Sequence, residues 1–299
     1  MRTEFYALVL TAGLFTSCAS AQKTTMKNNL DLQAHRGGRG LMPENTIAAM
    51  KNAIDLGATT LEMDVVISKD NKVVVSHDPY FNDVITTTPA GKTFTKKEAT
   101  DYLLYKMDYD SIRKFDVGTK PHPDFPRQQK IAAYKPLLTD LVDAAEAYAN
   151  SKGRKMMYNI EIKSKEGFDG VRHPAPPKFA ELLVQVLTDK KVLERTVIQS
   201  FDVRPLQYLH KSHPKVTLSY LVDKSAGSFD EQLTKLGFTP AIYSPIYTIT
   251  TRETIKQAHA KGMKVVPWTV NTAKEIQEMI DAGADGIITD YPDLFASLK

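Results

Sequence analysis

The sequence predicts an α/β protein, a (βα)8 barrel behind an N-terminal export segment, with one inserted stretch. Three observations carry this. Eight short apolar strands, starting near Leu32, Leu61, Met157, Val197, Thr217, Ala241, Val265 and Gly286, each lead into a helical repeat. Strand–helix alternation with short loops implies a parallel sheet, and eight units can close as a barrel. Glycine stands at the helix ends, at Gly57, Gly237, Gly262 and Gly283, the expected C-terminal punctuation. Finally, His35, Glu62, Asp64, Glu161, Lys163, Gln199 and Trp268 all fall near C-terminal strand ends, the rim that carries active sites in such barrels.

Composition sets the outer bounds. The chain has 299 residues, 42% hydrophobic and 25% charged, as an ordinary globular protein does. A net charge of +4 is small for this length and gives no argument for nucleic acid, though it tolerates an anionic substrate.

Residues 1–21 read as an address. Arg2 precedes an apolar run from Phe5 to Phe15 that is short for a membrane span. Ala19-Ser20-Ala21 fits cleavage after Ala21, while Leu14 to Cys18 resembles a loose bacterial lipobox. Cys18 is the only cysteine, so an internal disulfide is excluded and the sole thiol stands where a lipid tether needs it. Both routes predict export, to the periplasm or to a membrane-anchored lipoprotein. Residues 22–29 form a polar linker, and the folded domain is expected over 30–299.

The first strand, Leu30 to Ala34, runs into His35-Arg36-Gly37-Gly38. His35 fits a core histidine or a proton carrier. Arg36 fits a surface charge or a phosphate fork, since guanidinium matches phosphate geometry. After Pro43-Glu44-Asn45-Thr46, an amphipathic helix runs from Ile47 to Leu56, with Asn45 or Thr46 as its cap.

Leu61 to Asp78 reads as strand, polar turn and strand. Glu62 and Asp64 share a face by alternation. A two-residue turn at Asp70-Asn71 sets Asp64 directly opposite His77. Two carboxylates and a histidine then converge, which suits a hard cation with a proton carrier beside it, or else a solvated edge face. Asp78 to Lys135 is rich in Thr, Lys, Asp, Tyr and Pro and reads as an insertion over about 79–135, with His122 a surface residue. In Met156 to Lys163, the polar Asn159, Glu161 and Lys163 share one strand face. Buried charges of that kind are tolerated when paired or when they bind a metal.

Taken in order, His35-Arg36-Gly37-Gly38, Pro43-Glu44-Asn45-Thr46, Glu62-Met63-Asp64-Val65, His77-Asp78, Asn159-Ile160-Glu161-Ile162-Lys163, Gln199-Ser200-Phe201 and Trp268-Thr269-Val270-Asn271 resemble the glycerophosphodiester phosphodiesterase family. The resemblance runs from about Leu32 to Pro292. It implies a TIM barrel with the insertion after the second-strand hairpin. It implies hydrolysis of a small-molecule phosphodiester to sn-glycerol 3-phosphate and an alcohol, with one divalent cation, Mg²⁺ or Ca²⁺. By that similarity Glu62, Asp64 and Glu161 hold the cation, and His35 and His77 are the general acid and base. Arg36 and Lys163 bind phosphate, and Trp268 lines the glycerol pocket. Gln199 stands where many members carry a small residue. The alternative is a related phospholipase or lyase that acts on intact lipids and yields a cyclic phosphate.

Overall fold

The structure, a computed structural model, describes Met1 and residues 30–298. The expected export segment with its Cys18 and the expected linker up to Asn29 lie outside the described residues. No helix among the described residues is long and apolar enough to cross a membrane.

Among the described residues there are nine strands: β1 (Asp31–Ala34), β2 (Thr60–Ile67), β3 (Val73–Val75), β4 (Met157–Ile162), β5 (Thr196–Ser200), β6 (Thr217–Val222), β7 (Ile242–Pro245), β8 (Lys264–Val265) and β9 (Gly286–Thr289). Eight of them form a parallel sheet in the order β8-β7-β6-β5-β4-β2-β1-β9. Backbone hydrogen bonds close the ends into a cylinder. Asp285 N–H donates to the Val265 carbonyl at 2.8 Å, Ile288 N–H to Pro267 at 3.0 Å and Val270 N–H to Ile288 at 2.9 Å. The fold is the (βα)8 barrel that the alternation predicts.

Helices cover the outside: α1 (Ile47–Asp55), the short α2 (Lys96–Ala99) and α3 (Tyr109–Ile112), α4 (Leu138–Ser151), α5 (Pro176–Asp189), α6 (Val203–Ser212), α7 (Phe229–Leu236), α8 (Arg252–Ala260) and α9 (Ala273–Ala282). Of the two capping candidates for α1, Thr46 does the work, accepting from Ala49 N–H. Asn45 is left-handed, at φ 58°, and turns toward the barrel mouth instead.

Strand alternation sorts the side chains into two layers. Leu61, Met63, Ile160, Ile162, Ile198, Leu218 and Ile287 point outward and pack under the helices in the main core. The inward set is different. Ile242, Val266 and Ile288 make a small apolar patch on one side, with Val197 and Trp268 packed on it. The rest of the interior is polar. Gln33, Glu62, Asp64, Asn159, Gln199 and Ser219 are all buried. Most of their polar atoms find partners, while Asp64 Oδ1, Asn159 Oδ1 and Ser219 Oγ are buried without a hydrogen bond.

The hairpin register differs from the expected one. The ladder pairs Val65 with Val75, Val66 with Val74 and Ile67 with Val73. Ser76, not His77, therefore stands opposite Asp64, and its N–H donates to the Asp64 carbonyl at 2.9 Å. The cause is the turn. Asn71 takes a left-handed φ of 58°, which adds a third residue to the loop, and Ser68 N–H closes onto the Lys72 carbonyl. His77 is carried one residue past the ladder and lines the barrel mouth.

Residues 79–135 hold α2 and α3 and a second apolar cluster of their own. Phe81, Ile85, Leu104, Ile112 and Phe115 pack there against Val66 and Val74 of the hairpin. Phe81 and Phe115 stack with ring centroids 4.0 Å apart. The segment is thus fixed to the back of β2–β3, beside His77.

Candidate active site

The register places the acids. β2 and β4 pair Asp64 with Glu161 at one level and Glu62 with Asn159 one step deeper. All three carboxylates offer oxygen atoms within 4.8 Å of one another. Their surroundings hold each one in place. Arg36 N–H donates to Glu62 Oε2 at 2.7 Å, and Gln199 Nε2 donates to Glu62 Oε1 at 2.8 Å. Gln199 in turn accepts from Asn159 Nδ2 at 3.0 Å, and Asn159 also donates to Gln33 Oε1 at 2.7 Å. Asn45 Nδ2 donates to Asp64 Oδ2 at 2.9 Å. Lys163 Nζ lies 2.8 Å from Glu161 Oε1 and 3.7 Å from Asp64 Oδ1.

Three buried acids so close repel one another. Burial and the Asp64 charge push the Glu62 carboxyl well above the usual carboxylate range. Burial likewise raises Glu161, against the pull of Lys163. Asp64 stays well below the ordinary range in spite of burial, because Arg36 stands beside it. Asp64 Oδ1 is buried with no hydrogen-bond partner. A carboxylate oxygen that accepts no hydrogen bond, inside a ring of acids, is what a hard cation with oxygen ligands would complete.

Both histidines reach the same hollow. An inner cavity of about 110 Å³ is lined by His35, Arg36, Glu62, His77, Glu161, Lys163, Gln199 and Trp268, together with Phe201, Leu221 and Ile288. His35 Nδ1 lies 2.5 Å from Asp290 Oδ1. Burial lowers the His35 pKa to about 4 although Asp290 opposes this, so the ring is neutral at pH 7. Asp290 is held well below the carboxylate range by His35 and Arg39, against burial. His77 is more open, with 30% of its side chain exposed, and its Nδ1 lies 3.0 Å from Asp78 Oδ1. Asp78 also accepts from Asn82 Nδ2 at 2.8 Å.

Arg36 is placed differently from a free phosphate fork. Its Nη1 donates to both oxygens of Glu44, at 3.2 and 3.0 Å, and its Nε lies 3.4 Å from Asp64 Oδ2. It is left-handed at φ 51°, which turns its amide to Glu62. Gly37 follows at φ 79°, and a Cβ there would come 2.7 Å from the Ala49 Cβ of α1. Glycine is required at that point by both conformation and space. Trp268 Nε1 donates to the Ser244 carbonyl at 2.9 Å, and its ring meets Phe201 edge-on at 5.3 Å.

The sequence gives no site role to Asp290, Glu44, Asn45 or Arg39. Asp290 had a signal, a carboxylate at the C-terminal end of the last strand, level with the other rim residues. Its partner His35 lies 255 positions away and only barrel closure makes the contact.

A (βα)8 barrel whose rim carries three clustered acids, two histidines and two cations defines a candidate metal-assisted phosphate site. The family model for the glycerophosphoryl diester phosphodiesterase family matches residues 35–294, and the chain belongs to that family. A glycerophosphodiester phosphodiesterase of Caldanaerobacter subterraneus subsp. tengcongensis is 31% identical over 265 residues, 89% of this chain and 96% of that protein. One from Bacillus subtilis is 27% identical over 308 residues, covering 97% and 96%. Among solved structures, one from Silicibacter pomeroyi, provisionally named a glycerophosphoryl diester phosphodiesterase, superposes with a TM-score of 0.80 at 28% identity, covering 90% of this chain and 92% of that one. A phosphodiesterase of Oleispira antarctica, solved with sn-glycerol-3-phosphate, shares the fold at TM-score 0.70 and 22% identity, covering 90% and 96%.

Proposed function

We propose that this chain hydrolyses glycerophosphodiesters to sn-glycerol 3-phosphate and an alcohol, with one divalent cation, Mg²⁺ or Ca²⁺, held by Glu62, Asp64 and Glu161. The observation that carries the reading is the three-carboxylate cluster, within 4.8 Å, on a cavity that both histidines line. When bound, the cation would act as a Lewis acid on a non-bridging phosphate oxygen.

The chain's own residues divide the rest. His35 is neutral, and the Asp290 carboxylate fixes its proton on Nδ1. Nε2 is then the free acceptor, so His35 takes the proton of the attacking oxygen. His77 donates a proton to the leaving alkoxide, and Asp78 beside it steadies the imidazolium. One P–O bond forms and one breaks. Lys163 adds positive charge where the phosphate sits. Arg36, tied to Glu44, contributes its charge from a fixed position.

The size of the inner cavity supports a three-carbon polyol over an acyl chain. It holds about 110 Å³, and Trp268, Phe201, Leu221 and Ile288 give it an apolar wall for carbon atoms. Release of sn-glycerol 3-phosphate from glycerophosphoinositol and glycerophosphocholine, with and without EDTA, tests the reading. A cyclic phosphate product would favour the lyase alternative. Residues 1–21 support export, and fatty-acid labelling of the wild type against Cys18→Ser separates a lipid tether from cleavage after Ala21.

A further inference from the structure

Beside the inner cavity lies a wider groove of about 460 Å³. The two share His77, Glu161, Lys163 and Phe201 along their common edge. Beyond that edge the groove runs between the segment after β4, residues 163–173, and the start of α6. Nothing in the hydrolysis described above uses it.

Its wall is pinned in place. His173 is 2% exposed, its Nδ1 bonds the Pro174 carbonyl at 2.9 Å, and its Nε2 accepts from Lys165 N–H at 3.0 Å. Arg204 forks across the far side, 2.8 Å from Asp169 and 2.6 Å from Asp202. Those charges answer one another. Others do not. Among the described residues, Lys165, Arg172 and Lys235 line the groove with no carboxylate in ion-pair range. Asp78, Glu166 and Asp223 stand against them; Asp78 is already engaged by His77 at 3.0 Å, while Asp223 accepts from Ser225 N–H and Oγ at 2.8 and 2.6 Å and keeps its charge.

The aromatic surface is small. The Arg172 guanidinium lies 3.9 Å from the Phe168 ring centroid, so that face is taken. Phe201 is left as the one open ring of the groove lining. A quaternary ammonium is recognised by an open aromatic cage, and one ring does not make a cage.

We infer that this groove receives the leaving alcohol and selects alcohols that carry an anionic group over cationic ones. The inference rests on the phosphodiesterase reading above. The leaving oxygen must lie within reach of His77, and His77 sits on the shared edge. A third hollow, about 270 Å³, also touches His77. Its cations are spent, Arg36 on Glu44 and Arg39 on Asp290. Of these three hollows, the wider groove is the one with cations outside ion-pair range of a carboxylate next to a proposed cation ligand.

The test compares kcat/KM for glycerophosphoinositol 4-phosphate, glycerophosphoinositol and glycerophosphocholine at low salt. The first should exceed the second by about fivefold, the scale of one exposed ion pair, and choline should rank last. Raising the ionic strength should shrink the first ratio. Arg172→Glu and, separately, the exposed Lys165→Glu should bring it near one. Equal rates for the two inositol substrates in the wild type would overturn the inference. So would a ratio that neither charge reversal moves, or one that His122→Ala in the third hollow moves instead. Hydrolysis of none of the three would overturn the phosphodiesterase reading itself, and this inference with it.

Discussion

His35 Nδ1 and Asp290 Oδ1 stand 2.5 Å apart, joining the end of the first strand to the end of the last. The contact fixes the ring's tautomer, because a carboxylate can only accept. It therefore decides which nitrogen is left to take a proton.

Asp290→Asn should keep the fold and lower kcat by about a hundredfold or more, as an amide no longer dictates the tautomer. KM should change little, since Asp290 lies behind His35 and does not line the inner cavity. Steady-state kinetics with a thermal melt as the folding control checks this. An unchanged kcat would break the link between the contact and the chemistry.

The two histidines should separate by leaving group. His35→Ala and His77→Ala should each lose on the order of 10² to 10⁴ in rate on glycerophosphoinositol. With a p-nitrophenol leaving group no acid is needed, so His77→Ala should recover much of its activity and His35→Ala should not. Equal behaviour of both variants on the activated substrate would reverse or remove the assignment.

The acids carry a pH signature. In the cation-free protein Glu62 and Glu161 are raised, so folding favours their protonated forms. Their contribution to stability is therefore present at acid pH and is lost as pH rises through the raised values. A divalent cation replaces the protons and reverses that loss. Melting with added Ca²⁺ or Mg²⁺ against EDTA should show a larger Tm gain at pH 8 than at pH 5. Calorimetry in two buffers of different ionisation heat should show protons released on binding.

Arg36 holds two buried acids at once. Arg36→Ala leaves Glu44 and Asp64 without their nearest cation and should cost about 3 kcal/mol by urea denaturation. Arg36→Lys should recover only part of it, because a lysine has no fork for both Glu44 oxygens. A loss under about 0.5 kcal/mol, as at an ordinary surface site, would show that Glu44 and Asp64 find other partners.

Much of the barrel is legible in the chain. Strand–helix alternation is local, and period-two patterning correctly puts Glu62 and Asp64 on one face. The hairpin register is not legible in the same way. Whether Asn71 adopts a left-handed φ decides between a two- and a three-residue loop, and that single angle moves His77 off the ladder. Arg36 reads as a free phosphate fork until Glu44 is seen against it. Asp290 shows only as a carboxylate at the end of the last strand, and its contacts with His35 and Arg39 form only when the first and last strands meet. Gln199 had no assigned role and proves to be a donor that steadies Glu62.

The central claim is that Glu62, Asp64 and Glu161 hold one divalent ion that hydrolysis requires. Titration with Mn²⁺ followed by electron paramagnetic resonance reads this directly. The wild type should bind one equivalent in the site, and Asp64→Asn should lose that binding together with activity. Unaltered Mn²⁺ binding in Asp64→Asn, or full wild-type hydrolysis in excess EDTA, would contradict it.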